Sequence, residues 1–392
     1  MKKIGIITIN DNINYGNRLQ NLAVELLLES MGFEAHTITN TPYEDTAYID
    51  SKYLKKSPSQ QIKALLKKSK ALDTLNSKIK KKDSAEAKQK KAELLEKRRA
   101  NFEKFNNMYL HIYPNIIEGK SVPDGIDREF DLFAAGSDQV WNPSFKQGNS
   151  ISYLQFAPKE KRISLAASFG TDRLEEKYIN QAKHYLEGMN YISVREESGR
   201  KIVKELTGRD CDLMPDPTLL VNPKVWYDLS EKSDFPVKSR YVLTFFLGAV
   251  SPERAQCAKN FAKEKGLDLI CLNDVNYPEY FTAGPEDFLK LIKNADYVFT
   301  DSFHASVFSI IFKRQFFAFG REGTLNNMSG RLYELFKNLQ LGERFAEGYD
   351  RLPAKITSEQ YQAAHRIIDE NRATAINKLR CILNRDISRD IQ

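Results

Sequence analysis

The stretch Ile4-Gly5-Ile6-Ile7-Thr8-Ile9-Asn10-Asp11-Asn12-Ile13-Asn14-Tyr15-Gly16-Asn17-Arg18-Leu19-Gln20 decides the fold class. Ile4–Ile9 is apolar and β-branched, the composition of a strand buried on both faces of a parallel sheet. Asn10–Asn17 reads as a polar loop. A helix from about Leu19 then carries Leu22, Leu26 and Met31 on one face and stops at Gly32, a C-cap position. Ala35–Thr39 is the next strand, and strand–loop–helix–strand is a βαβ unit. The alternation returns in strands Asp131–Ala135, Arg162–Ala167 and Tyr191–Val194 and helix Glu196–Leu206. A second series follows Pro215, Pro217, Pro223 and Pro236. It comprises strand Tyr241–Leu247, helix Pro252–Lys265, strand Asp268–Leu272, helix Pro285–Lys293, strand Tyr297–Thr300, helix Ala305–Phe312 and strand Gln315–Phe319. Two α/β units of similar size imply a cleft between facing sheet ends. From about Ser358 the chain reads as one long polar helix whose job is packing.

With 41% hydrophobic and 28% charged residues in 392, the chain is an ordinary globular protein and not a disordered or fibrous one. Four scattered cysteines without a CxxC pair exclude a disulfide framework, a zinc ribbon and a thioredoxin-type motif, and fit a reducing compartment. The apolar run after Lys2 and Lys3 is too short for a signal-peptide core, and no stretch approaches the ~20 apolar residues of a membrane span. The expectation is a cytoplasmic protein.

The net charge of +7 is unevenly placed: Ser51–Asn106 holds 18 Lys/Arg against 6 Asp/Glu, and the remaining chain 41 against 46. A mildly acidic body without a helix-turn-helix, zinc-finger or RNA-binding signature argues against nucleic acid as a partner. Within the basic segment Ile62, Leu65, Leu66, Leu72, Leu75 and Ile79 form one helical stripe and Leu94, Leu95, Phe102 and Phe105 a second. This predicts a helical hairpin inserted at about 51–106. It either docks by its stripes or also offers a basic face to anionic lipid at the inner membrane surface, or to a phosphate-bearing acceptor.

Four polar clusters sit where strands end, the ligand edge of such sheets. In the first, Asn14–Gln20 bridges the strand and its helix: Gly16 lets the backbone approach a ligand and the helix N-terminus favours an anion that Arg18 could clamp, although a single Gly there also serves plain turn geometry. The second, Gly136-Ser137-Asp138-Gln139-Val140-Trp141-Asn142-Pro143, is either a buried polar network or a sugar site with Trp141 as its platform. In the third, a strand delivers Arg195 toward the cleft. Its competing partners are Glu196 and Glu197, and adjacent residues seldom pair well. The fourth is Thr300-Asp301-Ser302-Phe303-His304-Ala305, where Asp301 or Ser302 caps a helix with His304 in its first turn. Histidine titrates near neutrality and can exchange a proton in a cleft. There is no GxGxxG after the first strand, no Walker A lysine, no HExxH and no GxSxG, which disfavours nicotinamide enzymes, P-loop enzymes, zincins and common hydrolases.

Taken in order, these clusters resemble the polysaccharide pyruvyl transferase family. The matching stretches are Asn14-Tyr15-Gly16 with Leu19-Gln20, Gly136–Asn142, Ser164–Gly170, Ser193–Glu196, Asp216-Pro217-Thr218 and Thr300–Ala305, within about Lys3–Phe345. The resemblance implies two Rossmann-like domains facing a cleft in a GT-B-like α/β fold. An N-terminal domain would span 1–215, a C-terminal domain with the donor site 216–357 and a final helix 358–392. It also implies transfer of pyruvate from phosphoenolpyruvate to two hydroxyls of a sugar in a cell-surface polysaccharide or lipid-linked precursor, giving a ketal and phosphate, with no cofactor. No metal-ligand spacing is present. His304 and Arg195 match the family's donor-site histidine and arginine. Asp138 is the candidate for the acceptor proton. By location, Arg18 and Arg321 are extra anion clamps, Ser302 lies at the donor, and Asn14, Tyr15, Gly16, Gln139 and Trp141 face the acceptor. Ser302 stands where family members can carry an arginine, so a bidentate contact would have to come from another arginine, or the donor differs. A GT-B-like glycosyltransferase using a nucleotide sugar and a non-catalytic glycan-binding subunit are the alternatives.

Overall fold

The computed structural model describes residues 1–50, 78–238, 240–322, 330–346, 348 and 351–384. Strands β1 (Lys3–Ile7), β2 (Glu34–Thr37), β3 (Leu132–Ala135) and β4 (Arg162–Ser164) form an all-parallel sheet in the order β2-β1-β3-β4. Short strands β5 (Ser193–Val194) and β6 (Asp212–Leu213) pair in parallel and continue it through single bridges from Ile163 to Tyr191 and Ala167 to Val194. The second sheet holds β7 (Tyr241–Phe245), β8 (Asp268–Cys271), β9 (Tyr297–Thr300) and β10 (Gln315–Ala318) in the order β8-β7-β9-β10, again all parallel. β1, β3, β7 and β9 are apolar on both faces because helices cover both, leaving almost nothing of them exposed. The chain therefore has the two Rossmann-like units of a GT-B-like α/β fold.

Helix α1 (Tyr15–Glu29) starts four residues earlier than the apolar pattern indicates, because the Asn14 side chain caps it by accepting from Asn17 N at 3.4 Å. Gly16 thus lies in the first helical turn, not in a loop. The basic insertion contains one helix, α2 (Lys78–Tyr109), which runs past the expected limit and turns Leu94, Phe102 and Phe105 inward; the first arm of the expected hairpin lies outside the described residues.

Tyr15 joins the two units. Its ring stacks on Phe288 (centroids 4.5 Å, 8° between planes), packs against Phe102 of α2 and Phe245 of β7, and its hydroxyl donates to Ala283 O at 3.0 Å. One continuous apolar core holds Ile4, Leu19, Leu243 and Phe308 together. Two further helices are α3 (Phe303–Ile311) and α5, the terminal helix (Ser358–Leu383). α5 packs across both units, donating to the backbone carbonyl of Ile310 from His365 and to that of Leu219 from Arg372. It also pairs Lys378 with Asp212.

Removing a buried aromatic of this kind costs about 3–5 kcal/mol, whereas losing its single hydroxyl contact costs about 1 kcal/mol. Tyr15→Ala is therefore expected to shift the denaturant midpoint several-fold more than Tyr15→Phe, as urea titration with fluorescence detection would read. Equal shifts would mean that the ring does not bind the units together.

Candidate active site

Where β9 ends, Thr300 Oγ1 accepts from Ser302 N at 3.0 Å and the Ser302 side chain caps α3, accepting from Ala305 N at 3.4 Å. The turn is fixed from the other side by Asp301, whose two carboxylate oxygens accept from Leu247 N (2.7 Å) and Gly248 N (2.9 Å). Held this way, His304 is buried and leans across to the first unit, its Nε2 lying 3.5 Å from Asp216 Oδ2. A Cβ on Gly16 would fall 2.1 Å from His304 Nδ1. Position 16 has no side chain because the imidazole occupies that space.

Asp216 is the hub. It caps the short turn Pro217–Leu220, accepting from Thr218 N and Oγ1 at 3.0 and 2.7 Å, and accepts from Arg195 Nη1 at 2.7 Å. Burial alone would raise its carboxyl, but His304, Arg195 and the Thr218 hydrogen bond together hold it well below the usual carboxylate range. Arg195 also donates to Glu196 Oε1 (2.7 Å) and Asp138 Oδ1 (3.4 Å) and lies over the Phe303 ring, 4.6 Å from its centroid. Despite burial, these three carboxylates keep its guanidinium more firmly protonated than usual.

A cavity of about 300 Å³ opens beside His304, walled by Asn14, Asn17, Asp138, Gln139, Ser302, Arg321 and Arg331. Asp138 sits at a positive φ of 68°, a backbone state costly for a non-glycine residue and common at functional sites. Its carboxylate lies between Arg195 and Arg331 Nη1 (3.6 Å); burial would raise its pKa, but Arg195, His304 and Arg331 together lower it. Arg331 comes from α4 (Gly330–Asn338), and burial brings its own pKa down to about 10. Arg321 Nε is 3.9 Å from Asp301 Oδ2.

Several expected residues sit elsewhere. Arg195 does pair with its neighbour Glu196, and it lines a separate cavity on the far side of Phe303, reaching His304 only through Asp216. Arg18 is buried beneath the first loop, hydrogen-bonded to Ile9 O, and is not among the walls of the His304 cavity. Trp141 is no sugar platform: it is fully buried, stacked on Tyr153 at 4.9 Å, with Nε1 donating to Ser152 O. Tyr15 is likewise core, and Gly16 makes room for the histidine. Asn14, Asp138, Gln139, Ser302, His304 and Arg321 do meet in one place.

The sequence reading missed Arg331, Asp216 as hub, and Asp11. Asp11 Oδ1 accepts from Asn14 N (2.9 Å) and Oδ2 from Asn17 Nδ2 (2.9 Å); burial raises its carboxyl, partly opposed by Arg18. It stands in the wall shared by the His304 cavity and a larger one of about 770 Å³.

The family model for polysaccharide pyruvyl transferase matches residues 14–323. The chain belongs to this family. It is a transferase, of a family named for moving pyruvyl groups to polysaccharide. No curated protein matches the sequence. Among solved structures, similarity extends over whole chains at low identity. One is a putative UDP-N-acetylglucosamine 2-epimerase from Listeria monocytogenes (10% identity, TM-score 0.49, 96% of this chain and 91% of that one). Another is the UDP-N-acetylglucosamine 2-epimerase from Rickettsia bellii (11%, 0.43, 99% of each chain). A third is a spinosyn rhamnosyltransferase complexed with thymidine diphosphate (10%, 0.44, 98% and 100%).

Two substitutions test the hub in this transferase. Gly16→Ala must displace the imidazole, so transfer activity is expected to fall at least tenfold, on the order of what a misplaced catalytic group costs, while the protein still melts cooperatively. Asp216→Asn strips a buried ion cluster of one partner and is expected to lower unfolding free energy by about 3–5 kcal/mol in a denaturant titration.

Proposed function

We propose that the His304 cavity binds phosphoenolpyruvate and that the chain transfers its pyruvyl group to two hydroxyls of a sugar as a ketal. The observation that carries this is the juxtaposition of His304, Arg321, Arg331 and the N-terminus of α3 around one small cavity. A metabolite with a phosphate and a carboxylate needs two cationic grips, which guanidiniums and a helix N-terminus provide. With Ser302 at the position where an arginine can stand, Arg321 and Arg331 take over the guanidinium contact.

In the proposed reaction His304 delivers a proton to the methylene carbon of the donor, leaving an oxocarbenium-like centre at the adjacent carbon. A sugar hydroxyl adds to that centre and loses its proton. The phosphate then leaves with the C–O electron pair, and a second hydroxyl closes the ketal and gives its proton to the departing phosphate, so that one hydrogen phosphate is released per pyruvyl group. Asp138 is poorly suited to take the acceptor proton, because two arginines hold it ionised. Asp11, less tightly paired, is the better base, and Asp138 orients Arg331.

The acceptor is a sugar, free or lipid-linked. Lys88, Lys90, Lys91, Lys97 and Lys104 are exposed on α2 and offer a contact to an anionic membrane face, where a lipid-linked acceptor would reside. No helix among the described residues is long and apolar enough to cross a membrane.

Purified protein given phosphoenolpyruvate and candidate glycans is expected to release phosphate and add a pyruvyl mass to the glycan. His304→Ala should lower turnover by about 10²–10⁴-fold. Turnover of a nucleotide sugar without that signal would overturn the reading in favour of a glycosyltransferase, and glycan binding without turnover in favour of a binding subunit. Because Asp11 must be ionised to act and its pKa is raised, activity should fall on the acid side at a pH above the ordinary aspartate range, near 3.9. Asp11→Asn should remove that limb from the kcat/KM profile.

A further inference from the structure

The larger cavity, about 770 Å³, runs from the shared wall of Asp11, Asn14 and Leu247 along α2 and the ends of β7 and β8. Arg98 of α2 stands in its wall and is 3% exposed. Its Nη1 donates to Asn273 Oδ1 at 2.9 Å, and its guanidinium lies over the rings of Tyr15 (4.6 Å) and Phe281 (5.4 Å). Its Nε has no hydrogen-bond partner, and no carboxylate among the described residues forms an ion pair with it. By contrast, buried Arg195 has three carboxylates and buried Arg254 has Glu322 at 3.1 Å. A buried cation with five donors is not satisfied by one amide oxygen and the rings of Tyr15, Phe102 and Phe281.

We infer that Arg98 and Asn273 form an anion subsite in this second cavity, which holds an oxyanion of the acceptor while its sugar hydroxyls reach the His304 cavity past Asp11. The inference rests on the acceptor reading above and makes it narrower: the acceptor carries a phosphate or a carboxylate. Two sources share that chemistry, a phosphate linking the sugar to its carrier and the carboxylate of an acidic sugar. Asn273 is itself held, its Nδ2 donating to Phe246 O at 2.9 Å, so its oxygen stays turned to the arginine. The apolar walls at Leu95, Leu269 and Phe281 exclude water around the charge and strengthen the attraction.

The test is calorimetric binding of inorganic pyrophosphate and, separately, of glucuronate to the full chain saturated with phosphoenolpyruvate. Pyrophosphate is expected to bind, and Arg98→Met to weaken it at least tenfold. Arg98 also supports Tyr15, so Asn273→Asp is the second variant. It places a carboxylate 2.9 Å from the guanidinium, keeps the packing and should abolish binding while the melting temperature holds. Glucuronate binding in place of pyrophosphate, with the same response to both variants, would assign the carboxylate source. Binding that both variants leave intact, or that Arg331→Met abolishes and Asn273→Asp does not, would overturn the subsite. Failure of phosphoenolpyruvate to bind, with pyrophosphate still sensitive to Asn273→Asp, would instead sink the donor reading and leave the subsite standing.

Discussion

Everything in the site depends on one carboxylate. Asp216 is almost completely buried, and its oxygens serve Thr218, Arg195 and His304 at once. A buried ion cluster is weak evidence for stability, because desolvation offsets much of the attraction; what it fixes is geometry. Arg195 comes from the edge of the first sheet and His304 from the second, so the carboxylate measures the distance between the units. The imidazole has a defined position only when the two are docked, and Tyr15 and α5 hold the docking.

The charges around that hub form two tiers. Behind Phe303, Arg195 is matched by Asp138, Glu196 and Asp216, and its partners leave it little to offer a ligand. In front, Arg321 and Arg331 have longer contacts, 3.9 and 3.6 Å, to carboxylates that have other partners too. At 3.6 Å from its carboxylate and with Nε unpartnered, Arg331 keeps most of its hydrogen-bonding capacity. The inner tier is therefore scaffold and, on the proposed function, Arg331 and the N-terminus of α3 are donors left for an incoming anion.

The alternation of strands and helices was legible because parallel sheets covered on both faces leave unbroken apolar runs such as Tyr297–Thr300, whose limits match the structure. That the polar clusters at strand ends would be neighbours was also legible, since chain direction alone brings them to one edge, where Asn14, Asp138, Gln139, Ser302, His304 and Arg321 line one cavity. What sequence could not show was partnership at long range. Gly16 looks like a turn glycine until His304, 288 positions later, is seen in its space. Trp141 beside a polar run has the composition of a sugar platform, and only the stacking of Tyr153 shows it to be core. Arg195 and Glu196 are adjacent, which argues against a good pair in regular structure. The pair forms because Glu196 is the extended residue capping a helix and is free of helical geometry. Arg331 carried no signal at all, lying outside every motif; a buried arginine opposite a strained aspartate is visible only in three dimensions.

Ser302 is the residue where these considerations meet. An arginine at that position would bring a guanidinium to the donor but could not cap α3, since capping needs a short side-chain acceptor. Serine supplies that acceptor and leaves the amides of the first turn aligned, at a helix end whose partial positive charge favours an anion. The displaced guanidinium function then falls to side chains that reach the cavity from other elements, Arg321 after β10 and Arg331 on α4. Such reach has a structural consequence. Arg331 must be held by something other than the helix that carries His304, and the strained backbone at Asp138, with its carboxylate 3.6 Å away, is in place to do so. On this account Asp138 of the first unit and Ser302 of the second serve the same donor site, one by holding Arg331 and the other by capping α3.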